Sequence, residues 1–189
     1  MTKNRMEAFS DGVLAIIITI MVLELRPPEG AHLSDLAPLL PKFLSYVLSF
    51  IYVGIYWNNH HHLLRAARTI TGPILWANLL LLFWLSLTPF TAAWMGENHL
   101  ASAPVALYGG VLIAAALSYT LLVRMLIAHE GPDSLLAQAV GADFKGWISV
   151  VLYAAGVGLS FIQPLFGFGL YILVAAIWFI PDRRIEKRL

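Results

Sequence analysis

Ionisable side chains inside long apolar runs are costly in lipid, so they mark where chemistry concentrates. Here they are few: Asp11, Glu24, the run His60-His61-His62 and Arg124. Glu24 and Arg124 lie close enough to the ends of their runs to be solvated, Arg124 by snorkelling to the interface. Asp11 differs, because Phe9, Ser10 and Gly12 crowd around it and an almost unbroken aliphatic stretch follows. The three histidines suggest a metal, yet neighbours on a helix splay by about 100° per residue, and chelating one ion wants partners at i and i+4. With no cysteine and no HxxxH or HExxH spacing, a metal site is not expected. Nucleophilic catalysis has no GxSxG motif and no serine with an evident histidine and carboxylate partner. The expectation is no enzyme and no cofactor.

Ion conduction is the next chemistry to test. One familiar potassium filter is built from the backbone carbonyls of a TVGYG loop. The nearest string is Pro164-Leu165-Phe166-Gly167-Phe168-Gly169, which lacks the Thr-Val ahead of its Gly-x-Gly. A glycine-rich start to a membrane helix accounts for it better.

The elements that must hold these residues follow from hydropathy. Charged residues make up 12% of the chain and its mean hydropathy is +0.76, against about 25% charged in soluble domains. An all-α, polytopic membrane protein is expected, a single membrane domain over residues 1–189. Runs long enough to cross a bilayer are read at 9–25, 42–64, 74–94, 104–127, 147–163 and 165–180, giving six spans. Pro27-Pro28 closes the first, Pro41 opens the second, Pro89 kinks the third, and Pro164 divides a tail too long for one crossing. Residues 129–145 form the longest polar connection, with room for a short surface helix. One side of this topology collects Lys3, Arg5, Arg65, Arg68, Arg124, Lys145, Arg183, Arg184, Lys187 and Arg188, and the other only Arg26 and Lys42. By the positive-inside rule both termini are cytoplasmic, as an even number of spans requires. Trp57, Trp94, Trp147 and Trp178 fall near expected helix ends. A net charge of +1 with no basic patch excludes a nucleic-acid partner; the bilayer is the expected surroundings.

A carboxylate on a membrane helix needs partners from its neighbours. Asp11 and Ser10 are expected to hydrogen-bond to the second and third helices, to His60 or His61 and to Asn78. Arg5 pairs with Glu7 or Asp11, or faces the cytoplasmic mouth.

At this point the residues carry a resemblance. Arg5-x-x-x-Phe9-Ser10-Asp11 opening the first helix resembles the RxxxFSD signature of the lysosomal/endosomal potassium channel family named transmembrane protein 175. Trp57-x-x-His60-His61 resembles that family's second-helix stretch, and Asn78 through Phe90 its third helix. The resemblance implies a homotetramer of six-span chains in a bacterial inner membrane, with the first helices lining a central pore for potassium ions. Setting Ile16 at zero and turning about 100° per residue puts Gly12 at about −40°, Thr19 at about −60°, Ile20 at about +40° and Leu23 at about −20°. These form one stripe, and Asp11, at about 220°, points away from it. In family terms Ile16 matches a hydrophobic gate, with Ile20 and Leu23 as further constrictions, and Thr19 a pore-facing polar ring. Ordinary helix packing explains an Ile and Leu stripe equally well. A different class, a proton-coupled or other secondary transporter, would have Asp11 and a second-helix histidine titrate during the cycle.

Overall fold

The computed structural model describes residues 2–141 and 143–179. Arg183, Arg184, Lys187, Arg188 and the expected end of the sixth span at Ile180 lie outside the described residues. Helix α1 runs Lys3–Leu23. After a loop and a 3-10 helix at Leu33–Leu39 comes α2, Leu40–Ala66. Then follow α3 at Gly72–Ser86, α4 at Thr88–Glu97, α5 at Ser102–Glu130, α6 at Leu135–Val140, α7 at Phe144–Ser160 and α8 at Pro164–Phe179. Among the described residues four segments are long and apolar enough to cross a membrane: α1, α2 with its 3-10 lead-in, α3 joined to α4, and α5; α7 and α8 are shorter apolar helices.

Several boundaries have evident causes. Pro41, Pro73, Pro89 and Pro164 each sit in the first turn of a helix, where a missing N–H costs nothing. Gly131, at φ +98°, ends α5 in a conformation that an L side chain resists. Asp143 caps α7 by accepting from the Gly146 N–H at 3.2 Å. Burial raises its carboxyl pKa, while the Gly146 N–H and the Arg124 charge pull the other way.

Helix α1 starts at Lys3, so the polar turn ahead of the expected span at 9–25 is helical and Phe9-Ser10-Asp11-Gly12 lies in continuous helix. One expectation needs correction. The third segment is two helices rather than one kinked helix, interrupted at Leu87 because Pro89 cannot donate back to the turn before it.

Two apolar clusters hold the bundle together. One joins Leu14, Ile17 and Met21 of α1 to Val53, Leu81 and Leu122 on α2, α3 and α5. The other joins Tyr52, Tyr108, Phe168 and Tyr171 on α2, α5 and α8. In α8, Gly167 packs on α7: a Cβ there would lie 2.5 Å from the Gly156 carbonyl oxygen. The Gly167-Phe168-Gly169 string is therefore helix, pressed against a neighbouring helix.

Candidate functional site: the first helix and its motif

Ser10 is fully buried and sits in a directional relay. The amide oxygen of Asn78 on α3 contacts His60 Nε2 at 2.7 Å, and its Nδ2 donates to Ser10 Oγ at 3.0 Å. Ser10 Oγ in turn donates to the Met6 carbonyl at 2.8 Å. Because an amide oxygen only accepts, His60 must carry its proton on Nε2. Nδ1 is left as a buried lone pair with no partner among the described residues. One residue from each of α1, α2 and α3 is thus tied together away from water.

Asp11 reaches α2 through Trp57, whose Nε1 donates to Oδ1 at 3.1 Å. Its partner is the indole rather than either histidine. His61 instead meets Glu7, Nδ1 to Oε1 at 3.2 Å. Glu7 and Asp11 are four apart, as are Trp57 and His61, so two i, i+4 pairs face each other across antiparallel helices. Lys3 continues the register by donating to the Ala67 carbonyl at 3.0 Å. All three contacts follow from the register of α1 against α2. Trp57 lies well inside α2, so it is a hydrogen-bond donor to Asp11 rather than a marker of the helix end.

Arg5 and Phe9 do not join this network. Arg5 is exposed, and its side chain makes no hydrogen bond or ion pair among the described residues. Phe9 is 49% exposed. Seven residues before Ile16, it falls within about 20° of it on the helix. Both lie on the stripe rather than against the bundle.

That stripe is the outstanding feature of α1. Gly12, Ile16, Thr19, Ile20 and Leu23 are all exposed, Ile16 at 58% and Leu23 at 74%, while Met6, Ser10, Leu14, Ile17 and Met21 are buried on the opposite face. Thr19 Oγ1 spends its proton on the Ile16 carbonyl at 2.9 Å. Its oxygen lone pairs remain free to accept, the chemistry a partly dehydrated cation needs. Nothing lies within 4 Å of the position a Gly12 Cβ would take. Beside the stripe an open groove of about 640 Å³ runs between α1 and α4, lined by Val13, Ile16, Ile20, Phe90, Ala93 and Trp94, with Glu24 and Glu97 also on its walls. Among the described residues no group of histidine, aspartate and glutamate side chains could hold a metal ion.

The family model for the endosomal/lysosomal potassium channel TMEM175 matches residues 5–89, from the start of α1 into α4. A potassium channel of Chryseobacterium sp. (strain P1-3) is 57% identical over 189 residues, covering 100% of this chain and 98% of the relative. The chain belongs to the TMEM175 family. A second relative, a potassium channel of Chamaesiphon minutus, is 33% identical over 94% of this chain and 84% of its own. A crystal structure described as a lysosomal potassium-selective channel TMEM175 homolog from Chamaesiphon minutus superposes with a TM-score of 0.81 at 29% identity, covering 93% of this chain and 95% of that one. The endosomal/lysosomal proton channel TMEM175 of Mus musculus is 32% identical over 52% of this chain but only 23% of its own length. The TMEM175 fold thus extends past the region of the family model, through α5, α7 and α8.

Proposed function

We propose that this chain is one subunit of a homotetrameric, potassium-preferring cation channel of a bacterial inner membrane, with the α1 helices around a central pore. Ile16, Ile20 and Leu23 form apolar constrictions and Thr19 a polar ring between them. The chain crosses six times, through α1, α2, the α3 and α4 pair, α5, α7 and α8, with both termini in the cytoplasm.

The observation that carries this reading is the uncovered face of α1. An apolar helix face that its own chain leaves open in a bilayer meets lipid or another copy, and one that also carries small and hydroxyl side chains suits another copy. Here the face bearing Gly12, Ile16, Thr19, Ile20 and Leu23 is left open while the opposite face is packed. A ring of isoleucines blocks by dewetting, whereas a ring of threonine oxygens substitutes for part of a cation's hydration shell. Ser10, Asp11, His60, His61 and Asn78 serve as the mounting that fixes the orientation of α1, and Arg5 and Phe9 stand at the inner mouth of the pore.

Liposome flux tests it. Ile16→Asn wets the constriction and raises potassium flux, and lowering the barrier by only 1.4 kcal/mol gives about tenfold. Unchanged flux would remove Ile16 from the pore. Saturable exchange in place of voltage-driven flux would favour the transporter.

A further inference from the structure

Resting on the pore reading above, we infer that the subunits meet through two different faces of α1. The side bearing Ala15 and Val22, continued by aromatic residues of α2, seats in the groove between α1 and α4 of the next copy.

On the helical wheel of α1, Ala15 and Val22 lie at about −100° and −120° from Ile16, and both are exposed. The neighbouring surface of α2 continues this flank. Phe50 and Trp57 are seven apart and exposed at 44% and 48%, and Trp57 is anchored beside α1 by its bond to Asp11. On the other side of the stripe lies the open groove, where Phe90 and Trp94 are exposed at 62% and 37% with Ala93 between them. The two flanks differ in shape, one ridged and the other recessed. If the stripe faces a symmetry axis, each flank of α1 must face a neighbouring copy. Two unlike faces on either side of an axis are what a heterologous interface needs, and such an interface makes a ring where its rotation closes about that axis.

The charges at the outer end agree. The groove carries the carboxylates Glu24 and Glu97, the latter paired with Lys42 at 3.2 Å. Arg26, three residues past the end of α1, is exposed and meets no acid of its own chain among the described residues. A neighbouring copy supplies the missing partner on each side.

The chain has no cysteine, so introduced pairs can be read without background. The experiment oxidises Val22→Cys/Ala93→Cys protein in liposomes, alongside each single variant and a Val22→Cys/Leu121→Cys pair that uses the exposed side of α5. Light scattering in detergent gives the uncrosslinked mass. The expected result is a non-reducing ladder from two to four chains for Val22→Cys/Ala93→Cys, with the single variants and the Leu121 pair remaining monomeric. A tetramer that gives no ladder overturns this seam and leaves the pore reading standing. A monomer overturns both.

Discussion

Asn78 joins three helices through one amide group, so its removal has a calculable consequence. Asn78→Ala leaves the His60 Nε2–H without an acceptor and takes a donor from Ser10, and both groups are at most 1% exposed. Ser10 keeps its bond to the Met6 carbonyl, so the cost is that of one buried N–H left unpaired, a loss of about 1 to 3 kcal/mol. Thermal unfolding in detergent measures it. The surviving protein should keep its ratio of potassium to sodium flux, because the relay faces away from the stripe; an altered ratio at unchanged stability would make the relay part of the ion path. Ser10, His60 and Asn78 were legible in the sequence because buried polar groups in lipid need one another. The bonds from Asp11 to Trp57 and from Glu7 to His61 were not, since they depend on the register of α1 against α2. Phe9 misled for another reason: a motif reads as a block, but a helix deals successive residues to different faces.

Proline and glycine made much of the element order legible. Pro41, Pro73, Pro89 and Pro164 each open a helix, and Pro27-Pro28 follows α1. Hydropathy marks the crossing at 9–25 rather than the whole of α1, because it reports where lipid is tolerated and the turns from Lys3 to Ala8 are helical but polar. It also joined α3 and α4, since a break inside an apolar run leaves composition unchanged. The glycines near the start of α8 read in the sequence as a glycine-rich helix start, and packing gives one of them a reason. In Gly167→Ala the new methyl would lie 2.5 Å from the Gly156 carbonyl and 3.1 Å from the Ser160 Cβ. Both contacts belong to α7, and a backbone carbonyl cannot turn aside as a long side chain does. Overpacking of this kind costs about 1 to 3 kcal/mol, so a lower unfolding temperature with unchanged ion preference is expected. Gly169→Ala, which meets nothing within 4 Å, is the control. A selectivity change in Gly167→Ala without loss of stability would return this string to the ion path.

At the scale of the whole molecule, hydrogen bonds define two ends. Lys3 donates to the Ala67 carbonyl and the Glu130 carboxylate accepts from the Arg68 and Thr69 amides, so the start of α1, the end of α2 and the end of α5 share one end. Lys42 pairs with Glu97, and Glu24 shares a groove with Glu97, so the end of α1, the start of α2 and the end of α4 share the other. The first end gathers Lys3, Arg5, Arg65 and Arg68, with Arg124 against the Trp147 ring at 5.8 Å and Lys145 against Trp178 at 6.0 Å. The second has Arg26 and Lys42, offset by Glu24, Glu29 and Glu97. Cytoplasmic loops keep the excess of Lys and Arg, so the first end should lie inside. In the cysteine-free chain, Ala31→Cys in the exposed loop after α1 and Asp133→Cys in the exposed turn after α5 test this independently of conduction. A membrane-impermeant maleimide added to intact cells should label Ala31→Cys and spare Asp133→Cys until the cells are opened. The reverse pattern would turn the channel over, putting Phe9 at the outer mouth and Leu23 at the inner one, and the Lys and Arg excess would then need a cause other than membrane orientation.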